Sequence, residues 1–190
     1  MIAFKFLRQG AVGSFSRVPW PEPAGDAPGA WVQAAGSGGV CVDRVHACRV
    51  VDLPEWIDAE LWTVELDGDV AVDCGKLVAD RGRLLARVGA WDDATAAEMA
   101  AVCAQRARDA ADATAAGGSD DAARAADYAA DAARHAQVAL AEPPTAPGHA
   151  ATAAFIAAHA AALAAGDAGA TASERAWQAR WLAERLALPA

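Results

Sequence analysis

The pattern of hydrophobic and polar positions changes near Trp91. Before this residue, short segments alternate between apolar and polar positions, as half-buried β-strands do. After it, apolar residues (most of them alanine) recur every three or four positions, as they do on one face of a helix. The pattern therefore predicts an α+β protein. We expect a small, mainly antiparallel sheet module over residues 1–91 and an alanine-rich antiparallel helical bundle over residues 92–190, with one continuous domain as the alternative.

The first module contains six segments with the alternation or the branched and aromatic residues typical of strands. They lie at residues 2–7, 45–51, 61–66, 69–72, 76–79 and 84–88. Alternation in the third segment places Glu65 on the outward face. Asp67-Gly68 predicts a hairpin turn, and Arg81-Gly82 predicts a turn between the last two strands. The run Asp52-Leu53-Pro54-Glu55 predicts a short helix that begins at its aspartate.

Residues 10–39 are rich in glycine and proline, including Gly36-Ser37-Gly38-Gly39, and predict a long loop with a short strand near Trp31. Long loops in compact domains are often functional. Trp20 and Trp31 lie in this loop and are expected at the surface. With Trp56 they are candidates for binding a ligand or partner, because tryptophan concentrates at binding hot spots. Packing in the core is the alternative.

Four helices are predicted in the second module, because capping residues begin each periodic run and glycine or proline ends it. They lie at residues 94–116, 120–140, 149–165 and 171–188. Trp177 and Trp181 are four residues apart on the last helix, and we expect them to hold it against the rest of the fold.

The net charge of −9 and the absence of clustered lysine and arginine argue against a nucleic-acid partner. The N-terminus lacks the apolar core of a signal peptide, and residues 150–165 are too short for a membrane span and contain His159. We therefore expect a cytoplasmic protein without a membrane partner. The four cysteines are irregularly spaced, which favours reduced thiols over a disulfide framework.

The densest motif runs from Cys41 to Cys48 and includes His46. The two cysteines are seven residues apart with no second pair nearby, so no metal site is expected. On a strand, His46 and Cys48 share a face, which makes a Cys/His nucleophile pair one hypothesis. A structural role and contact with a ligand are the alternatives. The chain has no phosphate-cradling loop, so no cofactor is expected, and this argues against a transferase acting on a nicotinamide nucleotide.

Asp131 and His135 lie four residues apart and share a helix face with Tyr128. This spacing suits a proton-transfer pair, although an ordinary solvated face has the same spacing. His149 and His159 are ten residues apart and do not share a face, so a two-histidine metal site is not expected there.

Several segments of the first half resemble an uncharacterised actinobacterial family. They are Phe4-Lys5-Phe6-Leu7-Arg8, Gly29-Ala30-Trp31-Val32, Val45-His46-Ala47-Cys48 and the run from Leu61 to Gly68. The family marker reads Cys-x-x-Gly-Val-His-Ala-Cys, and this chain has Arg44 in place of the glycine. A tight turn at that point of the family pattern is therefore not expected here. The resemblance implies no established activity.

In the second half, Ala158-His159-Ala160-Ala161 and Glu174-Arg175-Ala176-Trp177-Gln178 look like segments of alanine-rich helical immunity proteins. This resemblance implies a protein that works by binding a partner.

Three functional hypotheses follow from the sequence. The first is a binding protein that recognises a protein partner or a small ligand, since an acidic surface with aromatic anchors suits recognition. The second is an enzyme with a site between the modules that uses His46, Cys48, Glu65 and His135. The third is a scaffold subunit that forms a homo-oligomer through its alanine faces.

Overall fold

A computed structural model describes residues 1–33, 44–115 and 120–189. The chain forms two compact units, one of Met1–Trp91 with Ala183–Ala190 and one of Asp92–Leu182. The change of unit coincides with the change of pattern at Trp91, whereas the last residues, expected in the helical module, belong to the first unit. The predicted Gly36-Ser37-Gly38-Gly39 loop and Cys41 lie outside the described residues.

The described part of the first unit has seven strands in two antiparallel sheets. In chain order they are β1 Ile2–Leu7, β2 Val32–Gln33, β3 Val45–Ala47, β4 Glu60–Asp67, β5 Ala71–Asp73, β6 Lys76–Ala79 and β7 Arg81–Arg87. One sheet has the order β1-β4-β7-β2 and the other has the order β3-β6-β5. The strand pairs are antiparallel, as the sequence predicts.

The core of this unit lies on the face of β4 that sequence alternation predicts. Trp62, Val64 and Leu66 are buried there, and Glu65 lies on the opposite, partly exposed face. β1 adds Ala3 and Leu7 to the same cluster. Burying large apolar side chains contributes about 1.5–3 kcal/mol each. The core of the sheet unit therefore depends on a few large residues.

Backbone hydrogen bonds join the two sheets at Phe4 on β1 and Cys48 just after β3. The backbone nitrogen of each donates to the carbonyl of the other, at 2.9 and 2.7 Å. The Sγ of Cys48 also donates to the carbonyl of Phe4, at 3.3 Å. This pair, which we call the seam, brings β1 and β3 side by side.

Two predicted turns differ in the structure. Arg81-Gly82 is part of β7 and not a turn. A Cβ at Gly82 would lie 2.9 Å from a methyl of Val45, so the glycine is explained by close packing of the sheets. Asp67-Gly68 ends β4, but the next strand pairs in the other sheet, so no two-residue hairpin forms there.

The predicted strand over residues 45–51 is shorter, because it ends at Ala47 and a 3-10 helix, Val50–Glu55, follows. Asp52 does not begin this helix. It lies in the first turn, where its carboxylate accepts from the guanidinium of Arg49 at 2.7 and 2.9 Å. The helix therefore begins before Asp52, and the carboxylate of Asp52 is paired with the arginine that precedes the helix.

The second unit is helical, as predicted. Its helices are α1 Asp93–Ala115, α2 Asp120–Ala141, α3 Ala146–Ala165 and α4 Gly169–Arg185. The Asp92 carboxylate caps α1 by accepting from the backbone nitrogen of Thr95 at 2.8 Å. Gly166 ends α3 in the left-handed conformation, at φ 62°. Together the sheets and helices confirm the α+β class.

Alanine fills the interior of the helical unit. Its buried alanines lie at regular intervals on the facing sides of α1, α2 and α3. Because an alanine removes little apolar area from water, this interior depends on close approach of the helices. Trp177 on α4 contacts α1 through a cation–π interaction, since the guanidinium carbon of Arg106 lies 3.9 Å from the centroid of its ring.

One described segment, Pro143–Ala165, is long and apolar enough to cross a membrane, with a mean hydropathy of 1.3 over its best window. A core helix of a soluble protein meets the same criterion, so this is weak evidence. Its helix, α3, packs against α1 and α2. The expected localisation stays a prediction.

Candidate functional site

A small pocket lies beside the seam, in the first unit. It has a volume of about 30 Å³, which is room for about two water molecules. The lining residues come from β1, from β3 and the position after it, from the turn after the 3-10 helix and from β6; they are Lys5, Phe6, His46, Ala47, Cys48, Trp56 and Lys76. The pocket thus brings together three residues predicted from sequence, His46, Cys48 and Trp56.

Both lysines of the chain line this pocket. The other positively charged side chains, apart from histidine, are arginines. Arginine stays protonated under all ordinary conditions, whereas lysine is a compact charge that can also lose its proton. Two lysines and His46 around one pocket in a chain of net charge −9 make the pocket a local basic site in an acidic protein.

Lys5 is half-buried between Ala3 and Leu7 on the core-facing side of β1. Its Nζ donates to the carbonyl oxygen of His46 at 2.5 Å and lies 4.9 Å from the centroid of the Trp20 ring. Burial lowers the pKa of Lys5 to about 8, against a small opposing effect of Cys48. Burial therefore favours the neutral amine of Lys5 more than that of an exposed lysine.

Lys76 is also buried, with 9% of the residue exposed. Its Nζ lies 3.6 Å from a carboxylate oxygen of Asp73, three residues earlier on the same hairpin. This separation makes Asp73 an ion-pair partner of the buried Lys76 ammonium, without a strong hydrogen bond.

The thiol of Cys48 is in the wrong state for nucleophilic attack. Burial raises its pKa to about 12, although the ammonium of Lys5 lowers it in part. The reactive form of cysteine is the thiolate, which requires a lowered pKa. The protonated thiol instead donates at the seam, so Cys48 supports the pocket wall and the Cys/His nucleophile hypothesis loses its main requirement.

Trp56 forms the side of the pocket next to the β5–β6 hairpin. Its Nε1 donates to the carbonyl of Gly75 at 2.9 Å, which fixes the orientation of the indole ring. The ring of Phe15 meets that of Trp56 edge-on, with the ring centroids 6.2 Å apart. Phe15 is 84% exposed, so an aromatic side chain stands in solvent beside Trp56.

The other predicted tryptophans do not lie on an open surface. The expectation that Trp20 is exposed is wrong: only 6% of it is exposed, because its ring packs in the core. Trp31 is half-buried between the guanidinium groups of Arg81 and Arg83, which lie 4.7 and 4.5 Å from its ring centroid. Both arginines pair with carboxylates of β4, so Trp31 belongs to a structural charge ladder.

Glu65 belongs to that ladder and does not line the pocket. Its carboxylate accepts from Nε of Arg83 at 2.7 Å, and about a third of its side chain is exposed. A carboxylate held in this way stabilises the outer face of the sheet. The structure therefore does not bring Glu65 together with His46 and Cys48.

His135 lies on α2 in the second unit, where its partner is His149 near the start of α3. The two Nδ1 atoms are 2.7 Å apart and the ring centroids are 5.0 Å apart. Burial, and then the nearby His149, lower the pKa of His135, and Asp131 opposes them. Asp131 itself pairs with Arg134, so the predicted Asp131–His135 proton-transfer pair gives way to a histidine–histidine pair.

Metal-ligating side chains do not gather in the described ranges. Among residues 1–33, 44–115 and 120–189, no group of three or more histidine, cysteine, aspartate or glutamate side chains could hold a metal ion.

Sequence reasoning missed Lys5 and Lys76. A signal for them was present in the composition, because a chain with fourteen arginines has only two lysines. Both lysines line one pocket because the seam joins segments that are 44 residues apart in the sequence.

Comparisons with known proteins do not indicate a function for this chain. No protein-family model, curated protein or solved structure matches this chain. Arg44, which replaces the glycine of the suspected marker, has a guanidinium 3.3 Å from Asp80. Its φ is not among the positive values, so the backbone makes no left-handed turn at this position. Membership in the actinobacterial family stays a prediction.

Proposed function

We propose that the first unit is a binding module for a small ligand that carries a carboxylate or phosphate group, and that this group sits between Lys76, His46 and Lys5. The observation that carries the proposal is the location of both lysines of the chain in one pocket. Lysine is rarely buried, whereas an oxyanion attracts ammonium groups and hydrogen-bond donors from several strands.

The apolar walls support a ligand with a small organic part. Phe6, Ala47 and Trp56 line the same pocket as the charged groups. Ligand sites commonly combine an apolar wall with a few placed polar groups. The exposed ring of Phe15 lies beside Trp56, where it can contact whatever part of the ligand extends out of the pocket.

Charge supports a small ligand over a large anionic partner. With a net charge of −9, the protein as a whole repels nucleic acids and acidic proteins. A small anion experiences mainly the local field of the pocket, where the two ammonium groups lie. Since the pocket has room for about two water molecules, only the charged end of such a ligand enters it.

The test uses inorganic phosphate and acetate as probes, titrated into the full chain at low ionic strength and followed by calorimetry. We expect Lys76→Met to weaken binding by roughly tenfold to a hundredfold, since a hydrogen bond to a charged group contributes about 1.5–3 kcal/mol. Arg180→Met is the matched control, because it removes one positive charge from an exposed residue of the other unit. Equal weakening in both variants, or no binding of either probe to the unmodified chain, would overturn the proposal.

A further inference from the structure

A cleft in the helical unit is much larger than the pocket beside the seam. Its volume is about 370 Å³, which lies within the range of small-molecule sites. Alanines supply its apolar lining, namely Ala110 on α1 and Ala161, Ala164 and Ala165 in the last two turns of α3. Three charged side chains of α1 and α4 line it as well. The cleft thus combines methyl groups with charge, as ligand sites commonly do.

The positive charge in this cleft is already paired. The Nε atom of Arg106 donates to both carboxylate oxygens of Glu174, at 2.8 and 2.7 Å, and the guanidinium carbon lies 3.9 Å from the centroid of the Trp177 ring. Glu174 also accepts from the side-chain amide of Gln178 at 3.2 Å. The charges of Arg106 and Glu174 offset each other, so the third charged residue sets the sign of the net charge in the cleft.

That third residue is Asp109, which is exposed on α1. One of its carboxylate oxygens accepts from the side-chain amide of Gln105 at 2.7 Å. The wider surroundings have the same sign, because the unit Asp92–Leu182 contains twelve aspartates and glutamates against six arginines and no lysine. The local and the overall charge therefore both favour a cation at this cleft.

The end of α3 adds hydrogen-bond acceptors to the same place. Gly166 and Asp167 donate to carbonyls further back in the helix. Within the ranges that the structure describes, the carbonyls of Ala164 and Ala165 accept no backbone hydrogen bond, and both residues line the cleft. Carbonyls left over at the C-terminus of a helix carry partial negative charge and favour cations.

We propose that this cleft binds a small organic cation, namely a primary ammonium group with a short alkyl chain. The ammonium group pairs with Asp109 and donates to the carbonyls at the end of α3, and the alkyl chain lies against the alanine methyl groups. A primary ammonium has three donors and no acceptor, which suits a site where the remaining polar groups are acceptors. The site is thus opposite in sign to the anion pocket proposed for the sheet unit.

The first test titrates n-butylammonium into the full chain at low ionic strength, followed by ¹H–¹⁵N NMR. We expect saturating shifts of the amide resonances around Asp109 and at the end of α3. The matched probe is n-butanol, which has the same chain without the charge and should bind about fivefold more weakly, as for the loss of one exposed ion pair. Equal binding of the two probes, or shifts spread over the whole acidic surface without saturation, would overturn the proposal.

Asp109→Asn keeps the shape of the side chain and removes its charge. We expect it to weaken the binding of n-butylammonium by about fivefold and to leave that of n-butanol unchanged. Asp127→Asn is the matched control, because it removes a carboxylate from an exposed position of α2 that does not line the cleft. If both variants weaken binding equally, the general charge of the protein attracts the probe and the proposed site is wrong.

Ala164→Leu fills the cleft at a half-buried position, so the variant should fold and lose the binding of both probes by about tenfold or more. Ala151→Leu is the control, because it adds the same side chain at a half-buried position of α3 outside the cleft. Circular dichroism checks the folding of both variants. Unchanged binding of n-butylammonium to folded Ala164→Leu would show that the probe does not enter the cleft, against the proposal.

Discussion

The sheet unit and the helical unit both bury a glutamate, but they satisfy it by different means. Glu60 of the sheet unit accepts from the backbone nitrogens of Gly10 and Ala11, both at 3.1 Å, and from Nε1 of Trp62 at 3.0 Å. Glu174 of the helical unit accepts two bonds from Nε of Arg106, at 2.8 and 2.7 Å. One carboxylate is thus held mainly by neutral donors and the other mainly by a guanidinium.

The difference follows from what surrounds each carboxylate. An irregular loop passes beside β4 and offers unpaired backbone nitrogens, which need an acceptor in any case. Helices offer no such donors along their length, because their backbone groups are bonded internally. A buried carboxylate between helices must therefore be satisfied by side chains, here the guanidinium of Arg106 and the amide of Gln178. We conclude that loops and helices impose different chemistry on the same buried group.

The largest expected effect is that of Glu60→Ala. This change leaves two backbone nitrogens and one indole nitrogen without their acceptor, and each orphaned donor costs about 1–3 kcal/mol. We expect a loss of about 4 kcal/mol in the free energy of unfolding, since water can reach some of these groups. Urea unfolding followed by tryptophan fluorescence measures it. Glu22→Ala, at an exposed site, is the control and should cost less than about 0.5 kcal/mol.

Arg106→Met should cost about 3 kcal/mol, because it leaves Glu174 buried without its counter-charge. The double variant Arg106→Met/Glu174→Met should recover much of this loss, since it removes the orphaned charge as well. Urea unfolding followed by circular dichroism of the helices measures both. A double variant that is no more stable than the single one would show that the pair is not the source of the effect.

A larger side chain in the alanine interior of the helical unit tests how closely its helices pack. Ala154 is fully buried on α3, so Ala154→Leu forces neighbouring helices apart and should cost about 2 kcal/mol. Ala164 is only partly buried on the same helix, and Ala164→Leu serves as the control with little expected loss. If both variants unfold at the same temperature as the unmodified chain, the alanine interior is not closely packed.

The smallest expected effect concerns pH. Because the pKa of His135 is lowered by folding, the folded chain binds fewer protons than the unfolded chain below pH 6.5. The stabilisation is fully present above pH 6.5 and is lost as the pH falls through the folded pKa. Asp131 and Arg134 on α2 and His149 on α3 are the charged groups that face the imidazole.

Thermal unfolding at pH 7.5 and pH 5.5 measures this loss, and we expect the lower unfolding temperature at pH 5.5. His149→Gln should reduce the difference between the two pH values. His159→Gln is the control, because His159 contacts Phe155 and Tyr128 instead of this pair. An unchanged pH difference in His149→Gln would contradict the role of the pair.

Local features of the fold could be predicted from sequence because local forces create them. The alternation of β4 and the glycine that ends α3 act within a few residues, and both are found as expected. The predicted turn at Arg81-Gly82 is wrong. The glycine is needed there because Val45 of the other sheet packs closely against it. A contact between sheets leaves no periodic signal in the chain.

The candidate site was only half predictable for the same reason. His46 and Cys48 belong to one dense motif, but Lys5 and Lys76 reach the pocket through strands distant in sequence. The partner of His135 is His149 on the next helix. Spacing rules within one helix do not predict a contact between two helices. Trp20 was expected in solvent because of its glycine- and proline-rich setting, yet its ring fills the space above Lys5.

The seam between Phe4 and Cys48 has a consequence for the order of events during folding. One edge of β1 pairs with β4, where Ile2 lies opposite Glu65. The other edge pairs with Cys48 through Phe4. This apolar strand therefore stays unpaired until residues 48 and 60–65 have followed it in the chain. Pairings of this separation form slowly and expose strand edges to other chains. In the helical unit, α1 likewise packs against α3 across the intervening α2, so both units depend on contacts between distant parts of the chain.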